Sequence, residues 1–85
     1  MISNDSLLRM VKQECFSHGV GVITLHAYRD FALQVEKTRQ RLGGNELAVI
    51  VAALVERYVK LGMDRKVLED IAHNVFNVSP PKHAV

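Results

Sequence analysis

Cys15 and His18 are the pair in this 85-residue chain best spaced for nucleophilic chemistry, since residues three apart on a helix lie side by side. A thiol nucleophile also needs an orienting group and an oxyanion site, and the residues around this pair offer neither. His18 falls in the last turn of its helix, where a cation suits the dipole, and Cys15 reads as a core residue. Glu69 and His73 have the i, i+4 spacing of two metal ligands on one helix face. Two ligands do not make a site, and nothing in the spacing brings His18, His26 or His83 beside them. They read as a surface pair. The glycines at Gly19, Gly21, Gly43 and Gly44 lack the lysine of a phosphate loop, and helix ends account for them. No two carboxylates share an apolar setting that would drive their pKa values apart. No catalytic residue, cofactor site or metal site is expected, and the chain reads as non-enzymatic.

The elements that carry these residues belong to one small domain, 1–85. A chain this short buries only about 60–65% of its unfolded surface, so its stability is modest without staples. With one cysteine there is no internal disulfide, and a reducing compartment, the cytoplasm, is the expected location. The opening MISNDSLLRM places Asp5 and polar residues where a secretory signal needs a basic start and a long apolar run. Net charge is +2 with a pI near 8.9, less basic than most nucleic-acid binders.

Apolar periodicity predicts an all-α fold of four helices, at about 5–18, 25–42, 46–61 and 65–77, between a frayed Met1–Asn4 and a flexible tail over 79–85. Asp5 or Ser6 caps the first helix, and Gly19 ends it with Val20 folding back. Gly21, Val22 and Ile23 have no second strand to pair with and read as a buried connector. Thr24 caps the second helix, whose inner face is Leu25, Tyr28, Phe31, Ala32, Val35 and Leu42. Leu33 points away from that face, either as a tolerated exposed leucine or as part of a contact surface. Asn45 caps the third helix and Gly62 ends it. Asp64 caps the fourth, with Met63 placed to staple against Leu68. On its outer face Arg65 pairs with Glu69 and Lys66 with Asp70. Val78 to Pro81 ends the helix.

The third helix, ELAVIVAALVERYVKL, dominates the chain. At roughly 100° per residue its charges Glu46, Glu56, Arg57 and Lys60 fall on one stripe with Val49 and Ala53 between them, and all other directions are apolar. It rises only about 24 Å, too short to span a bilayer, so no membrane role is expected. The stretch therefore predicts a buried central third helix, enclosed by other helices or by a partner. Self-association, most simply a homodimer, follows as a way to close such a core.

Nucleic-acid binding has two footholds. One is the basic set Lys37, Arg39 and Arg41, helped by Arg29; the other is the helix–turn–helix look of Tyr58 to Ala72. In the second, Tyr58 stands where a small residue is expected, and Glu69 and Asp70 offset Arg65 and Lys66. Any direct DNA contact is expected to be weak.

The stretch Phe31 to Met63 resembles the Hha/YmoA family of small bacterial gene-expression modulators. Asn45-Glu46-Leu47-Ala48-Val49 is similar to the family's NELAV segment, and Ala53, Arg57, Leu61 and Met63 continue at matching offsets. Upstream, Val35-Glu36-Lys37 and Leu42 are similar to the family's glutamate-lysine helix and the leucine before its turn. The resemblance covers over a third of the chain. It implies an all-helical, non-catalytic protein that binds a nucleoid protein of the H-NS type and strengthens gene silencing. The family's partner-facing aspartate falls on Val55 and its acidic position on the preceding helix falls on Ala32. Asp30 and Glu56 lie nearby and serve only through a rotated interface. Asp30, Leu33, Val55 and Glu56 are thus the candidate partner-binding residues, and Lys37, Arg39 and Arg41 the candidate nucleic-acid residues. A small accessory or structural oligomer, and a weak direct DNA binder, stand as alternatives to the protein-binding regulator.

Overall fold

The structure, a computed structural model, describes residues 4–79. Met1 to Ser3 of the expected frayed start, and residues 80–85 of the expected tail with Pro80, Pro81 and His83, lie outside the described residues. Within them the chain is all-α: α1 (Asn4–Ser17), α2 (Val22–Arg39), α3 (Gly44–Lys60) and α4 (Arg65–Phe76).

A left-handed residue ends three of the four helices. Gly19 takes φ +78° and the Val20 amide returns to the Cys15 carbonyl at 3.0 Å. Gly62 takes φ +100° and the Met63 amide returns to Tyr58 at 3.1 Å. Asn77 takes φ +57° and the Val78 amide returns to Ala72 at 2.9 Å. Each closure, six residues long at Gly19 and Gly62 and seven at Asn77, satisfies carbonyls that the helix leaves open. In α4 the left-handed Asn77 therefore stops the helix before the prolines. Asp64 caps the same helix, its Oδ1 accepting from the Lys66 amide at 2.8 Å.

The starts of α1, α2 and α3 differ from the sequence reading. Asn4 opens α1, so Asp5 lies in the first turn, where its charge still suits the dipole. Gly21 precedes α2 and Gly43 precedes α3, neither with a side-chain cap. Thr24 is already inside the helix, its hydroxyl donating back to the Gly21 carbonyl at 3.3 Å, and Asn45 sits in the first turn of α3. The buried connector is not there. The turn at Gly19 tucks Val20 inward, and the first two residues of α2 lie on its outside, with Val22 73% and Ile23 87% exposed. At its other end α2 stops at Arg39 rather than Leu42.

The core is assembled chiefly from Leu7, Val11 and Cys15 of α1, Phe31, Ala32 and Val35 of α2, Val51 and Val55 of α3, and Leu68 and Ile71 of α4. Both α2 and α4 touch all three other helices, whereas α3 touches only these two and α1 does not reach it. The expected enclosure of α3 is therefore met on one side only. Leu47, Val51, Val55 and Tyr58 are buried, while Glu46, Val49, Ile50, Ala53, Glu56, Arg57 and Lys60 form an exposed arc. Two neighbours cannot cover a helix whose apolar residues spread this far round its axis.

Candidate interaction face

The exposed arc of α3 changes character along its length. Its first half carries Val49 at 59% exposure and Ile50 at 38%. With Leu42, Asn45 and Glu46 these side chains line an open groove of about 340 Å³ where the α2–α3 connection meets α3. Its second half is charged. Glu56 makes a bidentate pair with Arg65 of α4, Nη2 to Oε1 at 2.9 Å and Nη1 to Oε2. That guanidinium lowers the Glu56 pKa, and it is drawn away from Glu69, its partner in the sequence reading. Glu46, Arg57 and Lys60 form no ion pair among the described residues.

The residues expected to bind a partner do not gather on one surface. Val55 is 2% exposed inside the core and offers nothing to a partner, because it shares the inner face with Val51. Glu56, the next residue, faces out. Asp30 is exposed but accepts the Tyr58 hydroxyl at 2.6 Å, tying α2 to α3. Tyr58 itself packs edge-on to Phe31, ring centroids 5.4 Å apart, and burial with this hydrogen bond pushes its pKa up to about 12. Leu33 is at the margin of exposure on α2.

The basic set also divides. Arg39 reaches back to Glu36 with two hydrogen bonds, Nε to Oε1 at 2.6 Å and Nη2 to Oε2 at 3.0 Å. Glu36 is buried, and the hydrogen bonds from Arg39 hold its pKa below the ordinary glutamate value. Lys37 and Arg41 are exposed, and Arg29 is half-buried with its Nε enclosed and unpartnered. On the would-be recognition helix Arg65 is taken by Glu56, and Lys66 lies 3.5 Å from Asp70. Of the expected basic set, only Lys37 and Arg41 are left exposed and outside any ion pair among the described residues.

Compared with protein-family models, curated proteins and solved structures, the chain matches none.

Sequence reasoning did not find the polar seam between α1 and α4. His18 Nε2 lies 2.8 Å from Asp70 Oδ2 and 4.0 Å from Glu14 Oε1, and the Asn74 amide donates to that same Glu14 oxygen at 2.7 Å. Glu14, His18 and Asp70 are close enough to share a cation, and the His18 ring, the Asn74 amide and the Lys66 ammonium already stand beside their carboxylates. Cys15, which the spacing put beside His18, turns inward and is fully buried; burial raises its thiol to about 11. The His18 ring turns the other way, to α4. His73 Nδ1 lies 3.4 Å from Ser79 Oγ, and neither it nor Glu69 joins the seam. No helix among the described residues is long and apolar enough to cross a membrane.

Proposed function

We propose that this chain is a non-catalytic protein-binding regulator whose working surface is the outer arc of α3. The observation that carries the reading is the exposure of Val49 and Ile50 beside a groove on a helix whose opposite face is core. Apolar residues on a helix flank, rimmed by Glu46 and Asn45, suit a partner helix laid along them. Burial raises the Cys15 thiol to about 11, which supports the non-catalytic reading of that residue.

The resemblance of the NELAV stretch to the Hha/YmoA family supplies the class of partner, an H-NS-type nucleoid protein, and the process, modulation of bacterial gene expression in the cytoplasm. The interface differs from the one the resemblance implies. Its aspartate position, Val55, faces the core, and contact moves about the helix to Val49 and Ile50.

Isothermal titration of the chain with a purified H-NS-type protein tests this. Binding at tens of micromolar, lost in Val49→Asp and Ile50→Asp, is the expected result. Absence of binding removes the gene-expression reading, and binding that ignores both substitutions removes α3 as the surface.

A further inference from the structure

The exposed arc of α3 has a symmetry that a partner can use. Glu46, Ala53 and Lys60 stand seven residues apart, which places them close to one line along the helix. Ala53, the smallest side chain of the three, is midway. Val49 and Ile50 flank the line on the Glu46 side, and Glu56 and Arg57 flank it on the Lys60 side. All seven side chains are exposed.

We propose that this arc binds the same arc of a second copy of the chain, antiparallel, across a two-fold axis at Ala53. The inference rests on the reading of α3 as the working surface, and there the second copy competes with the partner proposed above. In that register Glu46 faces Lys60 of the second copy, with Arg57 of that copy one turn away. By symmetry the same pairs form at the other end. Glu46, Arg57 and Lys60 are the charges on this arc that no ion pair among the described residues consumes. Ile50 lies beside Arg57 of the second copy, whose methylenes cover it while the guanidinium stays in water. Val49 meets the stem of Glu56, a carboxylate that Arg65 already neutralises. Ala53 on Ala53 lets the two helices approach closely at the crossing. A parallel pair would set Glu46 on Glu46 and Lys60 on Lys60, like charge on like charge, so charge complementarity selects the antiparallel arrangement.

Sedimentation equilibrium over a wide concentration range is the experiment, with the full chain and three charge variants. The expected result is a mass that climbs with concentration from 9.5 kDa towards twice that value. Glu46→Lys and Lys60→Glu each weaken the dimer roughly tenfold, since each turns two symmetry-related attractions into repulsions. The combined variant, which restores opposite charges, returns to within about twofold of the parent. Ala53→Cys, oxidised in air, forms a disulfide-linked dimer, whereas the parent with only buried Cys15 does not. A monomer at every concentration, or a double variant no better than the singles, overturns the proposal. Loss of nucleoid-protein binding in Val49→Asp, measured on a chain that stays monomeric, would leave the protein-binding reading standing while this one falls.

Discussion

The Tyr58 hydroxyl donates to the Asp30 carboxylate at 2.6 Å, and through that bond the last turn of α3 is tied to the middle of α2. The same ring meets Phe31 edge-on, so one side chain serves both the core and its polar margin. A second tyrosine makes a parallel link, the Tyr28 hydroxyl accepting from the Asp64 amide at 3.1 Å where α4 begins. Tyr58→Phe keeps the ring and loses the bond, and is expected to cost about 1–2 kcal/mol in urea unfolding. Tyr58→Ala removes the ring as well and costs about 3–5 kcal/mol.

Alkaline pH should act through two buried groups. Tyr58 is raised from 10.0 to about 12 and Cys15 from 9.0 to about 11. In both cases the folded chain holds a proton that the unfolded chain releases sooner. Their contribution is complete below pH 9 and falls as pH rises through 9–11 for Cys15 and 10–12 for Tyr58. Urea midpoints across this range should decline, and the decline should be shallower in Tyr58→Phe. Near neutral pH, Cys15 should resist a thiol reagent until the chain unfolds, so labelling should follow the unfolding curve.

Val49 and Val55 lie six residues apart on α3 with opposite fates, one 59% exposed and the other 2%. Val49→Asp should shift the thermal midpoint by no more than about 2–4 °C, since surface changes cost within about 0.5 kcal/mol. Val55→Asp buries an unpaired charge and should leave the chain unfolded at room temperature. Circular dichroism of the two variants separates the interaction face from the core.

Arg39 should matter to folding rather than to phosphate. Arg39→Ala leaves the buried Glu36 carboxylate without its donor and is expected to cost about 2–3 kcal/mol. Because Glu36 has a lowered pKa, its contribution is full above the ordinary glutamate range and is lost as pH falls through that range and below. Urea midpoints should therefore fall less steeply on acidification in Glu36→Ala than in the parent, and equal slopes would show that Glu36 carries none of the acid dependence.

Asn77 and Gly62 hold left-handed backbone at two helix ends. Asn77→Gly should be neutral or stabilise by a few tenths of a kcal/mol, and Asn77→Ala should destabilise by about 1 kcal/mol. Gly62→Ala meets no steric neighbour but must still adopt φ +100°, and should cost about 1–2 kcal/mol. Thermal midpoints of the three variants check the ordering.

The helices could be read from the chain because their causes are local. Leu7, Val11 and Cys15, or Val67, Leu68, Ile71 and Val75, mark a buried stripe by spacing alone, and Gly19, Gly62 and Asp64 mark ends by backbone or hydrogen-bonding chemistry that neighbours do not alter. Even the charged stripe of α3, with Val49 and Ala53 inside it, is the stripe that faces solvent. What the tertiary structure decided was how many neighbours each helix has and which distant group each charge meets. Spacing could not reveal that α1 stops short of α3, that Arg65 leaves Glu69 for Glu56, that His18 reaches Asp70, or that Glu36 is drawn inside with Arg39. Periodicity fixes the direction of a side chain relative to its own helix axis; what stands in that direction depends on how the helices pack.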